Sequence, residues 1–380
     1  MILEKNNYDK NALQNQIVLI TGGGGGIGIE ASRALAYMGA YVIIAEIDAD
    51  KGMQAQKLIN EKNLNGTVDF FQIDITDEKQ IDKLYEYIMD KYTRLDVLIN
   101  NAAIVPMGAI DTVSISDWDL SYAVNLRAPV LLTKKFISSM RDTGGIIVFV
   151  PSAAPTPYMS AYEIFKTAQV EFCNTLCEEI DGTGIIAYSI APGFIKTDTA
   201  VKAVEIVATS LGITTEDFYK SLEELITDAE IAGVGYAVSV VKAKQYNGKE
   251  IMSYQVLMES GLISGGKEKL RIHRLILIIC HSCFRVLQMF FLTNIKIGRR
   301  KNCSKNSLYF PILKNRWGCL LRASKYKLRP CKVRFTIMSG ATFWIARRCL
   351  LSGGVFMTIK LNCYKVMKRM QYNWQAIQNY

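Results

Sequence analysis

Tyr162 and Lys166 stand four residues apart in Tyr162-Glu163-Ile164-Phe165-Lys166, a spacing that puts a phenol and an ammonium on one face of a helix. A free phenol titrates at about pH 10, and a cation beside it stabilises the phenolate, so such a pair can move a proton near neutrality. The spacing alone is not distinctive, because Tyr87/Lys91 and Tyr364/Lys368 repeat it and both read as solvated faces. What separates Tyr162 is order: it follows an apolar run, Ile146–Val150, with Ser152 just past the end of that run. A second feature is Thr21-Gly22-Gly23-Gly24-Gly25-Gly26-Ile27-Gly28, lying between the apolar run Ile17–Thr21 and a helical stretch. Glycines there let the backbone turn tightly and approach a pyrophosphate, whose charge sits on the helix N-terminus. The third is Glu46, eighteen residues after Gly28 at the end of the next apolar run. A carboxylate at about that distance accepts hydrogen bonds from ribose hydroxyls and repels a 2′-phosphate. With no Arg or Lys in the glycine loop or beside Glu46, this favours NAD over NADP. Asp48 competes for the role, and a solvated strand-end acid is the plainer reading of Glu46.

These groups need elements to hold them. From residue 17 onward short apolar runs alternate with amphipathic stretches, the pattern of a parallel sheet wrapped by helices. The strands predicted are Ile17–Thr21, Tyr41–Glu46, Thr67–Ile73, Val97–Asn100, Ile146–Val150, Ile185–Ile190 and Glu250–Met258. Val42-Ile43-Ile44 and Ile146-Ile147-Val148 are continuously apolar, as strands covered on both faces should be. The expectation is an α/β, doubly wound, seven-stranded parallel sheet over residues 17–262, preceded by an extension, 1–16, and followed by a tail, 263–380.

Charge divides the chain at the same place. Residues 1–266 carry 21 Lys+Arg against 34 Asp+Glu, whereas residues 267–380 carry 24 Lys+Arg and a single acid, Glu268. The first part is acidic and should not seek polyanions by charge. Cys173 and Cys177 are its only cysteines, which fits a reducing compartment. Met1–Gln16 is polar without an apolar core, so the cytoplasm is the expected location and a membrane partner is not. The tail lacks acids and a steady helical or strand period. Leu275–Leu292 is interrupted by His281, Arg285 and Gln288 and reads poorly as a membrane span. Cys280 and Cys283 with His273 and His281 lack the second close pair that a zinc site needs, so no metal is expected. Arg299-Arg300-Lys301 and the 322–334 stretch fit a nucleic-acid or membrane-surface arm only loosely. The preferred reading of the tail is an unstructured or non-native translation, such as a frame change or read-through just after Gly261–Gly266.

Taken in order, Thr21–Gly28, Asp74, Asn100-Asn101-Ala102, Asn125, Ser152, Tyr162/Lys166 and Pro192-Gly193-Phe194-Ile195-Lys196-Thr197 resemble the classical short-chain dehydrogenase/reductase family. The resemblance implies a Rossmann-type fold, a nicotinamide cofactor, a small alcohol or carbonyl substrate, and a homo-oligomer, dimer or tetramer. It implies that Tyr162 is the general acid/base on the substrate oxygen. Lys166 would bind the nicotinamide ribose and lower the phenol pKa, Ser152 would hydrogen-bond the substrate oxygen, and Asn125 would hold a water in a relay from Lys166. For the cofactor it implies Thr21, Gly22, Gly26, Ile27 and Gly28 at the pyrophosphate, and Asp74 and Ile75 at the adenine. Asn101 and Ala102 would line the adenosine side, with Pro192, Gly193, Ile195 and Thr197 around the carboxamide.

Four positions depart from that pattern. Ala103 stands where the family usually has Gly, and only nine residues separate Ser152 from Tyr162. Phe165 precedes Lys166 where a small residue is common, and the family's acidic double-glycine ending is represented only by Glu259-Ser260-Gly261. The altered Ser152–Tyr162 loop is the one support for an alternative, an NAD-binding sensor or scaffold with little turnover. Apolar residues of 198–228, namely Val201, Val204, Ile206, Val207, Leu211, Phe218, Leu222 and Leu225, are expected to form a lid over the substrate.

Overall fold

The computed structural model describes residues 1–141, 143–152, 157–196, 198–221 and 226–264, with backbone alone at 198, 199, 202, 203, 211 and 221. Thr197, Leu222, Leu225, the side chain of Leu211 and the basic tail from residue 265 therefore lie outside the described residues.

Seven strands form one parallel sheet: β1 (Ile17–Thr21), β2 (Tyr41–Glu46), β3 (Thr67–Gln72), β4 (Val97–Asn100), β5 (Gly145–Phe149), β6 (Ile185–Ala191) and β9 (Glu250–Met252). Their order across the sheet is β3-β2-β1-β4-β5-β6-β9. The chain thus winds outward from β1 in one direction and, from β4, in the other. The crevice between β1 and β4, at the carboxyl ends of the strands, is where this architecture leaves room for a ligand. Along β1, Val18 and Ile20 join one buried cluster, and Ile17 and Leu19 join the other. That two-residue alternation buries both faces of the sheet and explains the unbroken apolar runs. The first face is covered by α2 (Gly26–Tyr37), α10 (Ala229–Val241) and α11 (Ser253–Glu259). The second is covered by α4 (Glu78–Tyr92), α6 (Ala128–Met140) and α7 (Ser160–Glu179).

Three features differ from the expectation. The last strand ends at Met252 and passes into α11 rather than running to Met258, because Ser253, Val256 and Leu257 are buried at helical spacing. The extension is not a loose polar lead: it holds a short helix, α1 (Ile2–Lys5), with Leu3 and Leu13 buried and the Ile2 amide donating to Glu230 at 2.5 Å. A small two-stranded parallel pair, β7 (Phe194–Ile195) with β8 (Ile226–Thr227), was not predicted. Four helices, α3 (Ala49–Asn60), α5 (Ile115–Tyr122), α8 (Asp198–Leu211) and α9 (Thr215–Ser221), with a π-turn, Ala123–Arg127, and a 3-10 turn, Ala243–Gln245, complete the described elements.

Candidate active site

At the crevice β1 ends on Thr21 and α2 opens at Gly26, so the glycine loop is the sharp turn between a strand and a helix N-terminus. The Thr21 hydroxyl accepts from the amides of Asn101 at 3.1 Å and Ala102 at 3.0 Å. Asn101 Nδ2 donates back to the carbonyls of Thr21 and Gly22, at 2.9 and 3.1 Å. The glycine loop and the turn after β4 are thereby stitched into one wall. Gly22 sits at φ +64°, and a Cβ on it would come within 2.9 Å of Ala102 Cα; on Gly28 it would lie 2.1 Å from the Gly22 carbonyl oxygen. At Gly25 nothing stands within 4 Å, and this residue lines the cleft.

The acid at the end of β2 is held by main-chain donors. Glu46 Oε2 accepts from the Gly24 amide at 3.2 Å, and Oε1 from the amides of Ile47 at 2.9 Å and Asp48 at 3.3 Å. Asp48, the competing candidate, instead caps α3 by accepting from the Lys51 amide at 3.1 Å. Between the two acids, only Glu46 lines the cleft. Lys51 also lines it, brought in from the first turn of α3 and paired with Asp48 at 3.6 Å. A cation thus reaches the cleft from α3, although none stands in the glycine loop or beside Glu46. Beyond β3, Asp74 and Ile75 line the same wall, with Asp74 Oδ1 accepting from the Thr76 amide and hydroxyl at 2.9 and 2.7 Å.

The other end of the cleft is built by α7. Tyr162, Glu163 and Lys166 all line it, with Lys166 Nζ 5.9 Å from the centre of the Tyr162 ring. Lys166 is 1 % exposed, and its Nζ has no hydrogen-bond partner among the described residues. Burial pushes this ammonium down to about 7, against the pull of the Glu163 charge. Burial pushes the Tyr162 phenol up, the Glu163 charge adds to that, and the Ser152 hydroxyl draws it partly back. Among the influences on the phenol burial comes first, and only Ser152 acts to lower it. Glu163, to which the sequence reading gave no role, accepts from Ser152 Oγ at 2.8 Å and is pushed up to about 7, chiefly by burial.

Asn125 does not line the cleft. It sits fully buried in a single π-turn, Ala123–Arg127, between α5 and α6, where the Ala128 amide reaches back five residues to the Ala123 carbonyl. Its Nδ2 donates to the Ile104 carbonyl and to Ser121 Oγ, both at 2.8 Å, and its Oδ1 accepts from the Ile104 amide at 3.2 Å. Its main-chain carbonyl accepts from Gln169 Nε2. Asn125 therefore fixes the Ile104 segment, which does line the cleft. Pro192, Gly193, Phe194 and Ile195 line it as well, and Ala200, Val204 and Val207 of α8 with Phe218 of α9 add an apolar part of the lining. Ile206 is 46 % exposed and points away from it. Tyr236 of α10 also lines the cleft, fully buried, with its hydroxyl unpartnered among the described residues; no motif announced it. Among the described residues no three metal-binding side chains cluster, and none of the helices is long and apolar enough to cross a membrane.

The cleft, about 850 Å³, runs from Glu46 past the glycine loop to Lys166. Its residues fit a nicotinamide dinucleotide: an open Gly25 at a helix N-terminus for the pyrophosphate, and a buried orphan ammonium for sugar hydroxyls.

Comparison with known proteins agrees. Residues 16–206 match the model of the short chain dehydrogenase family. An uncharacterised oxidoreductase of Thermotoga maritima is 34 % identical over 196 residues, covering 50 % of this chain and 76 % of that protein. The fold superposes on L-sorbose reductase from Gluconobacter frateurii complexed with NADPH and L-sorbose, with a TM-score of 0.58 and 21 % identity over 64 % of this chain and 96 % of that one. It superposes equally on NAD+-bound xylitol dehydrogenase, with a TM-score of 0.58 and 18 % identity over 63 % of this chain and 98 % of that one. These two likenesses speak to the fold, and the family match speaks to the kind of enzyme. The chain belongs to the short-chain dehydrogenase family and is an NAD(P)-dependent oxidoreductase.

Proposed function

We propose that this chain interconverts a small alcohol and the corresponding carbonyl compound with NAD as its cofactor, Tyr162 acting as general acid/base on the substrate oxygen. The observation that carries the reading is the convergence on one cleft of the glycine loop, Glu46 and a buried Lys166 ammonium one helical turn from Tyr162. Both nicotinamide forms occur on this fold, NADPH in L-sorbose reductase and NAD+ in xylitol dehydrogenase, so the choice rests on local charge. Glu46, tied to three main-chain amides, presents a fixed negative group where a 2′-phosphate would lie, and Lys51 is already paired with Asp48.

Thr21, Gly22 and Gly26–Gly28 would hold the pyrophosphate, and Asp74, Ile75, Asn101 and Ala102 the adenosine side. Lys166 would hold the nicotinamide ribose, and Pro192, Gly193, Ile195 and Thr197 the carboxamide. The bound cofactor supplies or accepts the hydride. Ser152 orients the substrate oxygen, and Tyr162 takes its proton in oxidation and returns it in reduction. Asn125 serves the site by fixing Ile104, and the relay from Lys166 would have to use groups already bonded to Ile104, Ser121 and Gln169. The apolar lining from α8 and α9 suits neutral or hydrophobic substrates. The working domain is residues 17–262, in the cytoplasm and as a homo-oligomer.

Titrating the full chain with NADH and with NADPH, followed by nicotinamide fluorescence, tests the cofactor choice. Tight NADH and weak NADPH binding is expected; equal or reversed affinity would remove the Glu46 argument. Tyr162→Phe should lower turnover of whichever alcohol or ketone a screen finds by about 10²–10⁴-fold while leaving NADH binding in place. Persistent turnover would sink the assignment of Tyr162.

A further inference from the structure

Three acids line the cleft among the described residues: Glu46 at the end of β2, Asp74 beyond β3, and Glu163 on α7 beside Tyr162. The first two stand on the wall assigned to the cofactor, and Glu163 alone stands beside the residue assigned to the substrate oxygen. It is half-buried, and its Oε1 accepts from Ser152 Oγ at 2.8 Å. No described residue bonds its Oε2. The substrate end of the cleft thus offers a fixed acceptor whose present donor is the hydroxyl assigned to the reacting oxygen. Ser152 has a single proton to give, so it cannot donate to Glu163 and to a substrate at once.

We propose that Glu163 is a specificity-determining residue, selecting substrates with a neutral hydroxyl on the carbon next to the reacting one: vicinal diols and, in the reverse direction, α-hydroxy carbonyl compounds. This rests on the reading of the cleft as an alcohol–carbonyl site and names its substrate class. The second hydroxyl donates to Glu163 in place of Ser152, and the Ser152 proton turns to the reacting oxygen. Ser152 Oγ and Glu163 Oε1, 2.8 Å apart, fit the spacing of two gauche oxygens on adjacent carbons. A mono-alcohol must break the Ser152–Glu163 bond with nothing to replace it, which leaves a half-buried carboxylate unpaired. The hydride and proton transfers stay as assigned to the cofactor and Tyr162.

Charge favours a hydroxyl over an ionic group. A substrate ammonium at Glu163 would lie near Lys166, whose charge already acts on that carboxylate, in a cleft that Lys196 also lines. A substrate carboxylate would meet Glu163 itself. A hydroxyl is repelled by neither, and it restores the donor that Ser152 gives up.

The test has a binding arm and a kinetic arm, both on the full-length chain. The protein–NADH complex cannot oxidise an alcohol, so fluorescence titration of that complex reads binding alone. The best-bound stereoisomer of butane-2,3-diol should bind about tenfold tighter than butan-2-ol. Glu163→Leu should still bind NADH and lose that preference, whereas Ser152→Ala should keep it, because Glu163 is then left free to accept. A Glu163 that only braces Ser152 predicts equal loss in the two variants, and that result sinks the proposal. So does equal affinity for diol and mono-alcohol in the wild type, or a preference that survives Glu163→Leu. Should Glu163→Leu lose NADH binding, Glu163→Gln, with one acceptor oxygen in place of two, should keep a reduced preference; an undiminished one overturns the assignment. In turnover with NAD, kcat/KM should favour the diol by about 10²-fold and fall toward parity in Glu163→Leu. If Tyr162→Phe silences the enzyme and the wild type shows no diol preference, the selectivity fails and the Tyr162 assignment stands. If Tyr162→Phe stays active while the preference depends on Glu163, the Tyr162 assignment fails and the selectivity stands.

Discussion

Lys166 and Glu163 are driven toward neutrality by burial, one losing its proton more easily and the other holding it longer. Lys166 titrates at about 7 in the fold against 10.5 ordinarily. Between those values the unfolded chain holds the extra proton, so this residue makes stability rise with pH across that window. Below about 7 the full burden of a buried charge is present. Lys166→Met should therefore melt higher than the parent at pH 6, by about 1–4 kcal/mol in stability, with the gap closing toward pH 10. Thermal melts at the two pH values check this; a gap independent of pH would contradict it. At the other end of the cleft, Glu46→Ala should improve NADPH binding by about tenfold, or about 1.4 kcal/mol, and leave the fold intact. Fluorescence titration of the variant decides it. Residue types and order were enough to single out Tyr162, Lys166, Ser152 and Glu46. Glu163, Lys51 and Tyr236 were not legible, because what matters about them is which residues the fold carries to the cleft, and a Glu inside a helical stretch reads as solvated.

At the scale of elements, the glycine loop works by two different requirements. Gly28 needs the absence of a side chain because the Gly22 carbonyl passes beside it, whereas Gly25 faces open space. Gly28→Ala should disrupt the loop and lower stability by more than about 1 kcal/mol. Gly25→Ala should fold normally and weaken cofactor binding, since its methyl would project into the cleft. Comparing melting temperatures and NADH affinities of the two variants separates the effects. Most strands were legible to within a residue, because covered parallel strands are written as apolar runs with abrupt ends. Glu250–Met258 was overextended because a short strand followed at once by a buried helix gives one apolar stretch. The π-turn at Ala123–Arg127 and the β7–β8 pair had no sequence signal, since each depends on contacts from distant parts of the chain.

For the whole molecule, the surface of α5 and α7 stands out. Ile115, Leu120, Tyr122 and Ile164 are exposed there, by 74, 51, 46 and 55 %. As the proposed homo-oligomer would cover such a face, Ile164→Asp should shift the protein toward monomer in light scattering. An unchanged mass would place the subunit contact elsewhere. The acidic first part and the basic tail meet close to Gly261–Gly266, where the described residues also end. A chain stopped after Ser264 should keep NADH binding if the cofactor domain is complete by 262.

One residue more than an ordinary helix needs is wound into the rod from α5 to α6, and a single wide turn absorbs it. The turns on either side keep the phase of an unbroken helix, so Ser121 still meets the Ala161 carbonyl at 2.5 Å, one residue before Tyr162. Removing Val124 should close the wide turn and leave that phase in place. A one-residue gap across 123–127 in a sister chain would then spare the seat of the tyrosine and cost the hold that Asn125 keeps on Ile104.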